Sequence, residues 1–273
     1  MSEQKIRIGV VAPASRIAPR LAEDVTALAA SLYPGRAEIV FHPQCFLSAG
    51  HFAGGDAARA GAFLDIANDP GFDALWVARG GYGSNRILPQ VTAGLSQAAK
   101  TKTYMGYSDA GFLLAALYKA GCRVAHGPIP ADLARDGGDA AVARGLRYLV
   151  ERAADTLEPG LSGRSVAFNL TILSHLIGTP YLPDLTGHTL LIEDVAEHSY
   201  RTDRALFHVT SVPELRKLAG LRLGRFSAVP PNDPEFGQDE EAIARHWCAV
   251  SGIPFLGHAD IGHDADNKVV PFG

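Results

Sequence analysis

The sequence predicts an α/β protein built on a mostly parallel sheet, and three observations predict it. Strand-like and helix-like segments alternate through the first half of the chain. The strand-like ones are short, nearly continuous apolar runs, the pattern of strands covered on both faces. Several of them run straight into loops rich in glycine, proline or serine. Strand, helix, strand, helix in this cadence implies βαβ units.

Taken in order, residues 6–12 form a buried-strand run that stops at Pro13-Ala14-Ser15. Residues 21–32 follow as a helix, with Leu21, Val25, Leu28 and Leu32 on one face. A second strand is expected over 37–41, a helix opened by Asp56 over 57–67, and a third strand over 74–78. β-Formers then lead to Gly106, and residues 112–119 are apolar, alanine-rich and free of Gly and Pro, which predicts a buried helix. After His126-Gly127-Pro128-Ile129-Pro130 the character changes: residues 132–163 are polar, with one helix near 141–153. This stretch reads as a crossover, dividing the chain into domains at 1–130 and 165–273 joined by 131–164. Beyond it come an apolar segment at helical spacing (170–176), a strand ending in acids (190–194), a polar helix (200 to about 210) and short strands at 221–226 and 253–256.

Of 273 residues, 47% are apolar and 20% charged, with a net charge of -4, so the chain can bury a substantial core. Mixed charge without a basic stripe argues against a nucleic-acid or membrane-surface partner. No apolar run reaches transmembrane length, and the first residues lead into a strand without a signal-peptide core. Cys45, Cys122 and Cys248, odd in number and far apart, fit reduced buried thiols. The expectation is a cytoplasmic protein.

In parallel sheets ligands collect at the C-terminal strand ends, where the loops at 13–15, 79–84 and 106–109 belong. Ser108 sits in a strand-to-helix turn, which suits a nucleophile and equally suits a helix cap. Arg79-Gly80-Gly81-Tyr82-Gly83-Ser84-Asn85-Arg86 lacks both the Rossmann spacing and the Walker lysine. Its glycines could bring backbone amides to a reacting carbonyl, or simply form a tight turn. A serine needs a base. His263, in a polar loop before a short apolar strand, is the best placed of ten histidines, with His258 in a similar setting. Glu193 or Asp194 could orient its ring. A rival reading gathers His258, Asp260, His263, Asp264 and Asp266 around a divalent metal, although the spacing fits no metal motif.

Nine short blocks in series resemble the LD-carboxypeptidase family of serine peptidases, which includes muramoyltetrapeptide carboxypeptidases and microcin C immunity peptidases. They are Ile8-Gly9-Val10-Val11-Ala12-Pro13-Ala14-Ser15, the Arg79–Arg86 glycine segment, Gly106-Tyr107-Ser108-Asp109, His126-Gly127-Pro128, Asn169-Leu170, Gly178-Thr179-Pro180, Ile192-Glu193-Asp194, Tyr200-Arg201-Thr202-Asp203-Arg204, and Gly262-His263 with Pro271-Phe272-Gly273. The resemblance implies a Rossmann-like N-terminal domain, a β-rich C-terminal domain and an active site between them. It implies a Ser108–Glu193–His263 triad, an oxyanion hole from the backbone amides of Asp109 and Gly81, no metal or other cofactor, and a homodimer. The implied reaction releases a terminal D-amino acid from an L-centre, as in removing D-Ala from the murein tetrapeptide during wall recycling. The small peptide substrate has carboxylates, for which Arg79, Arg86, Arg201 and Arg204 are candidates, because a guanidinium fork matches a carboxylate.

Two alternatives accompany this reading. One is an immunity peptidase acting on a peptidyl-nucleotide antibiotic, which would need an aromatic platform that neither Trp76 nor Trp247 obviously provides. The other is a non-catalytic α/β protein holding a small ligand in its glycine loop. Two departures from the family pattern stand out: Ala167-Phe168 where Gly-Gly usually precedes Asn-Leu, and an end at Gly273 where relatives commonly continue, so that either the last strand is short or the chain is trimmed.

Overall fold

Continuous apolar runs need cover on both faces, and they receive it. The computed structural model describes residues 5–273. Strands β1 (Ile6–Val11), β2 (Ala37–Phe41), β3 (Ala74–Val77), β4 (Thr103–Gly106) and β5 (Arg123–His126) run parallel in the spatial order 2-1-3-4-5. This is a doubly wound order whose switch point lies between β1 and β3. On one face, Ile8, Val10, Trp76 and Met105 pack against α1 (Pro19–Leu32) and α5 (Gly138–Glu151). On the other, Val11, Leu75 and Val77 meet α2 (Asp56–Asn68), α3 (Ser84–Gly94) and α4 (Gly111–Lys119).

A second parallel sheet, in chain order, comprises β6 (Ser165–Asn169), β7 (Thr189–Val195), β8 (Gly220–Ser227) and β9 (Phe255–His258). Its helices are α6 (Leu170–Leu176), α7 (Ser199–Ser211) and α8 (Glu240–Ser251). The two sheets share one core through α4, whose Gly111 leaves room for Ile172 and Phe168. Phe168 is 1% exposed and stacks obliquely on Phe272, so the Ala167-Phe168 departure is absorbed by the core.

The last strand, β10 (Val270–Pro271), crosses back to the first sheet and pairs antiparallel with β5. Phe272 N donates to Val124 O, and Gly273 N to Ser165 O at the start of β6. Because β10 is antiparallel, the chain just before it lies at the C-terminal edge of the first sheet. That edge is where the glycine loop after β3 and the serine turn after β4 also emerge.

Most expected elements appear within a few residues of their predicted bounds. α3, β5 and β6 were not expected as elements: the strands are four and five residues long, and α3 carries Pro89. All three cysteines are free and buried, and burial pushes the Cys45 thiol up to about 12. No helix among the described residues is long and apolar enough to cross a membrane.

β5 ends in His126, 1% exposed beneath β10, with Nε2 3.3 Å from Asn267 Oδ1. Burial lowers its pKa from 6.5 to about 3. The unfolded chain therefore takes up this proton near 6.5 and the folded protein only near 3. The stability His126 contributes is complete above pH 6.5 and is lost as pH falls toward 3, at up to about 1.4 kcal/mol per pH unit. Urea unfolding at pH 7, 6 and 5 should show this loss, and His126→Gln should flatten the slope by up to one proton.

Candidate active site

β4 delivers the chain into an extended Tyr107, after which Ser108 takes φ 61°, the left-handed region that residues with a Cβ seldom occupy. A single 3-10 turn (Ser108–Ala110) then feeds α4. Such a turn lifts the hydroxyl off the sheet edge at the start of a helix. The glycine loop packs directly against it. A Cβ on Gly80 would stand 3.0 Å from Ser108 Cβ and Oγ, so any side chain there would crowd the serine. Gly81 has φ 113°, and a Cβ there would meet Ser15 Oγ of the first loop at 2.5 Å.

Asp109, 2% exposed, fixes the glycine loop to the serine turn. Its carboxylate accepts from Gly83 N (3.2 Å) and Ser84 N (2.9 Å), capping α3 from another element, while Ser84 Oγ donates to the Asp109 carbonyl. Burial pushes the Asp109 carboxyl up, and these donors hold it partly down. Gly83 is gripped from its other side by Arg59, wholly buried, which donates to the carbonyls of Gly83 and Pro13 and to Asp56. Neither Arg59 nor the Asp109 side chain was singled out by the sequence reading. A cap 25 residues away in the chain leaves no local signal.

Glu193 lies near the end of β7, opposite a bulge in β8 where the register slips between Ile192 and Asp194. Strand alternation turns Glu193 and Val195 to one face and Asp194 to the other. Asp194 serves the fold: it accepts from Asn169 Nδ2 and from both the backbone and hydroxyl of Thr171. Glu193, fully buried, hydrogen-bonds His263 Nδ1, and its other oxygen makes no hydrogen bond among the described residues. Burial pushes its carboxyl above the usual range, and the imidazole draws it partly back. The His263 loop is held along β8 by Ala259 N to Leu223 O and Arg225 N to Ile261 O, each 2.8 Å. A side chain on Gly224 would strike the Ile261 and Ile192 carbonyls, so this close approach also requires glycine.

Ser108, Gly80, Gly81 and His263 border one cavity of about 640 Å³, with Tyr107, Asp132 and Arg135 in its wall. No hydrogen bond joins Ser108 to His263 among the described residues; catalytic hydrogen bonds often tighten only with substrate bound. A serine on an elbow, a buried acid–imidazole pair and close-packed glycine amides around one cavity can support acyl transfer.

The sequence matches the LD-carboxypeptidase N-terminal domain over residues 8–127 and the LD-carboxypeptidase C-terminal domain over residues 162–273. The chain belongs to the LD-carboxypeptidase family. It is therefore a serine carboxypeptidase. The Synechocystis sp. protein slr1534, which bears a carboxypeptidase name, is 33% identical over 86% of this chain and 79% of its own. The murein tetrapeptide carboxypeptidase of Pseudomonas aeruginosa is 29% identical, over 75% of this chain and 71% of its own. The crystal structure of muramoyltetrapeptide carboxypeptidase from Oxalobacter formigenes superposes with a TM-score of 0.82 at 26% identity, covering 97% of this chain and 93% of that one. The microcin C7 self-immunity protein MccF, in complex with aspartyl sulfamoyl adenosine, shares the fold at 17% identity (TM-score 0.80, 99% and 92% covered).

Of the four arginine candidates, only Arg79 borders the serine cavity, where Nη1 contacts Arg16 O. Arg86 is locked onto Asp56 by three contacts of 2.8–3.1 Å. Arg201 and Arg204 line a separate cavity, beside Glu197 and Tyr200. The rival metal cluster does not assemble. His258 pairs with Glu241, Asp260 and Asp264 hold Arg225, and His263 takes Glu193. Among the described residues no group of three or more His, Cys, Asp or Glu side chains could hold a metal ion.

The Asp109 clamp has a measurable consequence. Asp109→Ala strands two buried amide donors, each costing about 1–3 kcal/mol, so a loss of about 2–6 kcal/mol is expected, read as a lower urea midpoint. Asp109→Asn, which keeps one acceptor oxygen, should lose less.

Proposed function

We propose that this carboxypeptidase removes the terminal D-Ala from murein tetrapeptide in wall recycling, by a Ser–His–Glu acyl-enzyme mechanism. The observation that carries the reading is the buried Glu193–His263 pair opening onto the same cavity as the strained Ser108 turn. Glu193 fixes the ring through Nδ1, which leaves Nε2 to act as base. Nε2 takes the Ser108 proton as Oγ attacks the scissile carbonyl. The backbone amides of Asp109 and Gly81 receive the oxyanion; Asp109 N lies 3.9 Å from the point where a Gly80 Cβ would stand beside Ser108. Collapse breaks the C–N bond, and His263 passes the proton to the departing amine. Water then adds to the acyl-enzyme, giving up its proton through His263, and Ser108 is restored.

The murein peptide is favoured over a peptidyl-nucleotide because Tyr107 is the one aromatic carbocycle bordering the cavity among the described residues, and it is 1% exposed. It offers no open face to a nucleobase. In the same reading the chain comprises domains 1–130 and 165–273 joined by 131–164, with β10 returning to the first. It works as a cytoplasmic homodimer without a cofactor. Three free, buried cysteines agree with a reducing compartment, and the homodimer rests on the family alone.

Incubated with L-Ala-D-Glu-mesoDAP-D-Ala, the protein should release D-Ala at a rate indifferent to chelator. Ser108→Ala should reduce release at least about 10³-fold with the fold intact, and Glu193→Gln should lower kcat about 10²- to 10⁴-fold. Undiminished turnover by Ser108→Ala sinks the mechanism.

A further inference from the structure

A carboxypeptidase must recognise a free carboxylate, and none of the interactions described so far supplies that recognition. In the terminal residue the carboxyl carbon lies two bonds, about 2.5 Å, from the nitrogen that leaves. That nitrogen receives its proton from the imidazole. The carboxylate reader must therefore stand on the imidazole's side of the cavity, away from the amides that hold the oxyanion.

Two arginines border the cavity. Arg79 leads into Gly80 and Gly81, on the oxyanion side, with Nη1 on Arg16 O. Arg135 borders the cavity with His263, and its Nη1 donates to the His263 backbone carbonyl. Arg135 Nε lies 3.1 Å from Asp132 Oδ1. Asp132, 1% exposed, is itself fixed by Tyr107 Oη (2.7 Å) and Ile129 N (3.0 Å). Tyr107 sets its ring edge-on to His263, with centroids 4.9 Å apart. The guanidinium is thus immobilised at Nε and Nη1, and no other hydrogen-bond partner of Arg135 is present among the described residues. Nη2 remains for a ligand, on a side chain 39% exposed at the cavity wall.

We infer that Arg135, held by Asp132 and tied to the His263 backbone, reads the free carboxylate of the substrate's terminal residue and restricts the enzyme to chain ends. This rests on the reaction proposed above. A guanidinium with two of its nitrogens committed presents the third in one orientation, so little rotamer entropy is lost when the carboxylate arrives. The contact to the His263 carbonyl couples recognition to the group that protonates the leaving amine. Asp132 acts through Arg135 and is a positioning residue.

The test compares two tetrapeptides, one ending in D-Ala acid and one in D-Ala amide. Wild type should favour the acid by about 10- to 100-fold in kcat/KM, the range of a hydrogen bond between charged groups. Arg135→Gln should bring the ratio close to one, mainly by raising KM for the acid. Arg135→Lys keeps the charge without the fork and should lose about 10-fold of the preference, which provides a second reading if the glutamine variant does not fold. Asp132→Asn should raise KM for the acid more than it lowers kcat. An acid preference that survives both Arg135 substitutions and collapses in Arg79→Gln overturns the assignment, as does a wild type that cleaves acid and amide equally while still releasing D-Ala. No turnover of either peptide by wild type would instead defeat the proposed reaction, and the assignment with it.

Discussion

The hydrogen bond between Glu193 and His263 is the constraint to which the rest of the structure is fitted. A carboxylate with no exposed surface and one oxygen without a partner is an expensive group to bury. Folding alone would favour an apolar residue there, since its strand neighbours Leu190, Leu191 and Ile192 fill the same core. The acid is retained opposite a bulge, with its partner arriving from a loop 70 residues later. That loop is held on every side that matters: backbone bonds to β8, Arg225 on Asp260 and Asp264, Arg135 on the His263 carbonyl, and β10 anchored on β5. The ring is over-determined, which is the condition under which a destabilising buried acid persists.

The same pairing ties the two sheets together at the proposed site. The hydroxyl comes from the first sheet and the acid from the second. The imidazole comes from a segment zipped along the second sheet before its chain returns to the first. α4 joins the halves from beneath, begins at the serine turn, and lies in the core that also holds β6 and α6. A shift of either sheet would move Ser108 relative to His263, and in the proposed mechanism a displacement near 1 Å could cost about 10²-fold in rate. The shared core does for the site what a rigid scaffold does for loops elsewhere.

What could be read from the sequence was what local chemistry encodes. Apolar runs and their turns gave the βαβ cadence, and the strand-to-helix position of Ser108 followed from its neighbours alone. The acids at 193 and 194 were visible as a pair at a strand end, but which of them turns to the imidazole depends on register, and register appears only once β6 and β8 flank β7. Asp132 was less legible still. In a polar stretch an acid looks solvated, whereas here a tyrosine, a backbone amide and an arginine enclose it. Arg59 and the Asp109 carboxylate escaped notice for the same reason: each bridges loops that meet only after the sheet has formed. Phe168 shows the converse, a residue conspicuous in sequence that merely fills the core between Gly111 and Phe272.

Two carboxylates influence one imidazole, and their environments assign them different work. Asp132 is already matched by Tyr107, the Ile129 amide and Arg135, so its charge is compensated before any chemistry begins. Among the described residues Glu193 hydrogen-bonds the ring alone. When the imidazole gains a proton in the proposed reaction, Glu193 is the uncompensated anion, and the new charge falls on the one partner with capacity to balance it. Burial raises both acids, yet for Glu193 the opposing pull comes chiefly from His263, whereas for Asp132 it comes first from the Ile129 amide and Tyr107. In that proposed reaction the compensated acid stays fixed in the cavity wall, and the bare one balances the charge that the imidazole gains.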